Sequence, residues 1–165
     1  MKDTIAAIAT GMGNSGIGII RISGDQALQI ADKIFQPKNK HKSILTMESY
    51  TAAYGIISYE NETYDEAIAL VMRAPATYTT EDVVELDCHG GITVMKRILD
   101  LIIQLGARPA EPGEFTKRAF LNKKMDLSQA EAVADVIHSK TSDFAKVSMK
   151  NLSGMISAKS KSTQS

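Results

Sequence analysis

One cysteine in 165 residues excludes a disulfide framework, and three scattered histidines beside that single thiol offer no metal-ligand spacing, so no metal site is expected. Net charge is also missing. The 19 basic residues cancel the 19 acidic ones, which leaves no whole-chain field to attract nucleic acid, so any such contact must be local or supplied by another domain or partner. No apolar run approaches a membrane-spanning length, and the opening MKDTIAAIATGMGNSG is too short and glycine-broken for a secretory signal, so no membrane partner and a cytoplasmic address are expected. A G-x-x-x-x-G-K-[ST] phosphate loop is absent as well. What remains is a chain with 44% apolar residues, enough to bury one core of roughly 110 to 130 residues plus an appendage.

The strand and helix signals fit an α+β class, expected as a mixed sheet with packed helices. Thr4 to Ala9 and Ile17 to Ser23 read as β-branched strands around the loop Thr10 to Gly16. That loop matches G-x-G-x-x-G literally. The isoleucine-rich run after its third glycine is strand-like, however, where a dinucleotide site needs a helix to begin. By the period of two, Ile17, Ile19 and Arg21 share one face, so a guanidinium ends an otherwise apolar row and should either find a partner or snorkel from an edge. Asp25 to Phe35 has helical spacing with Ala27, Leu28, Ala31, Ile34 and Phe35 inward, and Gln36 to Ser49 reads as an exposed connection without chemistry.

Tyr50 to Tyr59 and Tyr64 to Arg73 form a predicted hairpin through Glu60-Asn61-Glu62-Thr63, and the run AIALVM, apolar at both parities, suits a strand covered on both faces. Ala74 to Thr80 reads as a loop. In Val83 to Cys88, Val84, Leu86 and Cys88 take one face while Val83, Glu85 and Asp87 take the other, so two carboxylates project the same way. Cys88 and His89 point to opposite faces, which argues against a thiolate–imidazole pair, and His89 reads as a turn or ligand-wall residue. Gly90-Gly91 opens a helix over Ile92 to Leu105, with Ile92, Met95, Leu99 and Ile102 on its core stripe and an N-terminus able to receive an anion or a polar ligand edge.

The stretch Glu111 to His138 organises the rest. Phe115, Ala119 and Phe120 recur at helical spacing over Lys117 and Arg118, Asn122-Lys123-Lys124 closes that helix, and Asp126 with Gln129 has the form of a capping box for a second one. Spacing alone fits either a rigid elbow holding cations or a plain helical hairpin with solvated lysines. A third helix over Ser142 to Ile156 carries an apolar stripe that wants a partner, and SAKSKSTQS reads as a disordered end.

PGEFTKRAFLNKKMDLSQAEAVADVI resembles the segment joining the N-terminal and helical domains of the tRNA modification GTPases called MnmE or TrmE. TIAAIAT with GIGIIRISG, RAPATYTTEDVVELDCHGG and GARPAEPGEF agree in the same order, so the resemblance runs from about Thr4 to about Ile156. In the first loop the chain departs from the family pattern, with Met12 and Asn14 where a proline and an arginine are usual. The resemblance implies a fold like the folate-binding domain of aminomethyltransferases over residues 1–120, then the first helices of a truncated helical domain over 121–165, with the GTPase domain outside this chain.

It also implies a homodimer binding 5-formyl- or 5,10-methylene-tetrahydrofolate, an FAD-containing partner protein, and tRNA reached through the full complex. GTP, Mg²⁺ and K⁺ would belong to the absent domain, so this chain should not hydrolyse GTP alone. Motif by motif, the folate-contacting residues fall on Arg21, Glu85 and Lys124, with Asp87, His89 and Arg118 as weaker candidates for the same wall. No catalytic residue is implied. A carboxylate suits the amidine edge of a pterin, and fixed cations suit the carboxylates of the glutamate tail. A stand-alone aminomethyltransferase-like enzyme using Glu85 and Asp87 as acid and base, and a helical adaptor without ligand, are the other readings.

Overall fold

The computed structural model describes residues 3–10 and 16–122, and the chain divides into compact units at Lys124/Met125. The helices expected beyond Lys124, the polar tail, and Gly11 and Gly13 of the first loop lie outside the described residues. Among the described residues seven strands form one mixed sheet, consistent with the α+β reading. They are β1 (Ile5–Ile8), β2 (Gly18–Ser23), β3 (Phe35–Pro37), β4 (Thr51–Tyr59), β5 (Glu62–Met72), β6 (Val83–Cys88) and β7 (Arg108–Pro109). Their spatial order is β3-β4-β5-β6-β2-β1-β7, antiparallel except where β7 runs parallel to β1. Three helices complete the unit: α1 (Ala27–Ile34), α2 (Gly91–Gln104) and α3 (Glu114–Leu121). No described helix is long and apolar enough to cross a membrane.

Side-chain alternation decides which face of the sheet is filled. Ile20 and Ile22 of β2, Val84, Leu86 and Cys88 of β6, and Ala67, Ala69 and Val71 of β5 are buried. They share one core with Ile30, Ala31 and Ile34 of α1 and with Met95, Ile98 and Ile102 of α2. Leu70 and Met72 remain partly exposed and Ile68 is 39% exposed, so AIALVM is covered on one face, against the expectation of two.

The hairpin forms as expected, with a tighter turn. Glu60 and Asn61 both take positive φ, 48° and 67°, the mirror-image turn whose twist matches paired strands, and so Glu62 and Thr63 join β5. The connection after α1 is not wholly exposed. Phe35 leaves the helix to begin β3, which pairs with β4, while Ile44 is fully buried and Met47 nearly so. Gly55 makes that pairing possible, because a Cβ there would lie 2.4 Å from the Gln36 carbonyl oxygen.

The core stripe of α2 is rotated from the expected one. Met95, Ile98, Leu101 and Ile102 are buried, whereas Ile92 is 37% exposed and Leu99 packs at the margin. Both sets are compatible with helical spacing; the observed one centres on the sheet, which the pattern alone does not locate. Replacing the fully buried Ile98 by alanine should cost about 2 to 5 kcal/mol, read as a lower urea midpoint at unchanged slope. A cost below about 1 kcal/mol would contradict this packing.

Candidate ligand site on the open sheet face

β2 lies between β1 and β6, so Arg21 is not an edge residue. Register places it directly opposite Glu85 on β6, and its Nε–H donates to Glu85 Oε2 at 2.8 Å. Both side chains are partly buried, at 34% and 19% exposure, which leaves the pair less screened than a surface bridge. The Phe115 ring of α3 lies 5.4 Å from the guanidinium carbon and covers one side of it. Only one N–H of Arg21 and one oxygen of Glu85 are used between them. Among the described residues the terminal guanidinium nitrogens and Glu85 Oε1 have no hydrogen-bond partner.

Beside this pair is an open pocket of about 310 Å³ lined by Arg21, Met72, Tyr78, Thr79, Val83 and Glu85. Sequence reasoning found the two charged members through strand alternation and the resemblance, but not Tyr78 or Thr79. Those sit in the connection from β5 to β6, which looks like an ordinary loop. Tertiary contacts fix it. Ser23 Oγ donates to Glu81 Oε1 at 2.8 Å, so the 2.8 Å contact between Ser23 and Thr79 must be donated by Thr79. Thr77 donates to the Glu81 carbonyl at 2.6 Å, and Asn122 Nδ2 donates to the Thr79 carbonyl at 2.7 Å.

Arg118 does not line the pocket. It is 5% exposed and donates to Asp3 Oδ1 at 2.5 Å, to the Asp3 carbonyl at 2.6 Å and to both oxygens of buried Glu81 at 3.2 Å. A buried guanidinium requires such partners, and here they tie α3 to the chain start and to the pocket loop. Arg108 extends the cluster to Asp3 and Glu114.

Asp87 shares the open face with Glu85 but not the pocket lining. Its carboxyl is held above the usual range, first by burial and then by the Glu85 charge, with His89 opposing. His89 likewise lies outside the lining. Its Nδ1 is 3.1 Å from the Glu66 carbonyl, an acceptor-only group, so that nitrogen carries the proton. The N-terminus of α2 is already served: Asp65 Oδ2 accepts the N–H groups of His89 at 2.7 Å and Gly90 at 2.8 Å, so the expected anion position is filled by the chain's own carboxylate. Burial, with Asp65 and Asp87 nearby, pushes the Cys88 thiol up to about 12, which leaves no nucleophilic thiolate at neutral pH. Lys124 lies outside the described residues, and those residues hold no group of three or more His, Cys, Asp or Glu side chains suited to a metal.

The family model for the N-terminus of the GTP-binding protein TrmE matches residues 4–124, the sheet and all three helices. The chain belongs to this family. Among its relatives, the tRNA modification GTPase MnmE of Lachnoclostridium phytofermentans is 59% identical over 154 residues, 93% of this chain and 34% of that protein. Those of Thermoanaerobacter pseudethanolicus and Staphylococcus epidermidis are 54% identical over 161 residues and 52% over 157. These alignments cover 96% and 94% of this chain but 35% and 34% of those relatives. The chain thus spans about a third of their length and corresponds to the TrmE N-terminus.

Asp3 and Glu114 are both held below the usual carboxylate range, first of all by hydrogen bonds from Arg108. With folded values depressed, their contribution is complete above the unfolded value of about 4 and is lost as pH falls through the folded values. Stability measured by urea should therefore fall between about pH 5 and pH 2, and Glu114→Gln should flatten that fall. An unchanged profile in the variant would contradict the assignment.

Proposed function

We propose that this chain is the tetrahydrofolate-binding and dimerisation part of a cytoplasmic tRNA modification GTPase, on a sheet akin to the folate-binding domain of aminomethyltransferases. The carrying observation is the Arg21–Glu85 pair, half-satisfied at the edge of a 310 Å³ pocket on the sheet face away from α1 and α2. That volume is at the lower end of the roughly 300 to 1,000 Å³ typical of ligand sites and suits a bicyclic head better than a whole folate. Glu85 Oε1 can accept N–H groups from a pterin's amidine edge, while the spare guanidinium donors of Arg21 can meet a carbonyl or carboxylate. In this reading Lys124 adds a further cation from beyond α3.

Dimerisation is supported by the same open face, where Ile68 and Tyr54 are 39% and 46% exposed near the partly exposed Leu70. In the whole protein, GTP hydrolysis with Mg²⁺ and K⁺ would belong to a further domain. An FAD-dependent partner protein would join in placing a one-carbon-derived group on the wobble uridine of tRNA. The Glu85–Asp87 acid–base alternative is less well supported, since Asp87 lies outside the pocket lining.

Calorimetric titration with 5-formyltetrahydrofolate, alongside the mass in solution, tests this. A dimer with saturable binding is expected, and Glu85→Ala should weaken binding by about tenfold or more with the fold intact, as a charge-assisted contact is worth about 1.5 to 3 kcal/mol. Unchanged affinity in the variant, or a monomer that binds nothing, would overturn the proposal.

A further inference from the structure

We infer that Tyr78 is a ligand-binding residue of this pocket, its ring being the surface on which the flat, conjugated ring of a heterocycle held by Glu85 stacks. The inference rests on the reading of the pocket given under Proposed function and adds the class of chemical group it selects. Tyr78 stands out within its own loop. Thr77, Thr79 and Glu81 are 2%, 1% and 9% exposed, yet Tyr78 between them is 48% exposed and lines the pocket. An aromatic ring left in water beside three anchored neighbours contributes little to the core.

Nor is the ring free to turn away. Its hydroxyl lies 3.0 Å from Thr116 Oγ1 on α3, so the side chain is fixed at its backbone end by the pinned loop and at its tip by the helix. A ring held in this way gives up little freedom when a ligand arrives. The pocket's chemistry is divided to match. Arg21 and Glu85 offer hydrogen bonds, and Met72, Val83 and the Tyr78 ring offer apolar and π surface. A ligand with a polar N–H edge and two apolar faces satisfies both parts at once, whereas a sugar or a simple carboxylic acid leaves the ring unused.

The test compares the wild-type chain with Tyr78→Ala, Tyr78→Phe and Thr116→Val by calorimetric titration with 5-formyltetrahydrofolate, with thermal unfolding of each protein as the check on folding. Loss of the ring should weaken binding on the order of tenfold, the scale of one ring-on-aromatic stack. Tyr78→Phe and Thr116→Val, which keep the ring and lose only its tether, should stay within about threefold of wild type. Wild-type binding that Tyr78→Ala leaves unaltered overturns the stacking role alone, as does an equal loss in all three variants. No binding by the wild-type chain overturns the reading of the pocket and this inference with it.

Discussion

The antiparallel pairing of β2 with β6 is the constraint on which the remaining architecture depends. It sets Ile20 against Leu86 and Ile22 against Val84 on the filled face, and by the same register sets Arg21 against Glu85 on the other. Because side chains alternate strictly, these are one fact: a slip of one residue would bury the ion pair under α1 and α2 and turn the isoleucines outward. The hydrophobic stabilisation of the core thereby holds two charged groups within 2.8 Å of each other on the open face without their having to stabilise anything themselves. A partly exposed pair contributes little to folding, so its residue types are open to another use.

A second polar cluster has the opposite character. Arg118, Asp3, Glu81, Ser23 and Thr79 satisfy one another in a largely buried setting, and among the described residues no buried side-chain nitrogen or oxygen is left without a partner. It joins α3, the chain start and the β5–β6 connection at one point, and Tyr78 and Thr79 reach the pocket from there. The clusters thus divide the labour, one fixing the frame and the other facing the cavity.

The sequence made this division only partly legible. Alternation in Val83–Cys88 and in Gly18–Ser23 separated the carboxylates and the guanidinium from the core without ambiguity, because both strands are long enough for a period of two to show. β3 was hidden, since three residues ending in Pro37 carry no period and Phe35 continues the helical stripe of α1. The apolar parity of Ile68, Leu70 and Met72 fits a strand buried on both faces, because an open apolar face has the same composition as a core. Arg118, a weaker candidate for the ligand wall by the resemblance, instead holds the frame. Its partners are Asp3 and Glu81, far away in sequence, and no local pattern reports them. The site loop was the least legible part, as Tyr78 takes its place from the contact with Thr116 and from the buried threonines beside it, all settled by tertiary structure.

The most direct test of the account is to map, by NMR, the chemical-shift changes that 5-formyltetrahydrofolate causes in the isotopically labelled 165-residue chain. The Nε–H of Arg21 and the backbone amides of Arg21, Glu85, Tyr78 and Thr79 should shift together in a saturable manner, while those of α1 should not. Shifts gathered around α1 or the Asp65-capped start of α2, or none at saturating ligand, would contradict the claim that the Arg21–Glu85 face is where this protein meets its ligand.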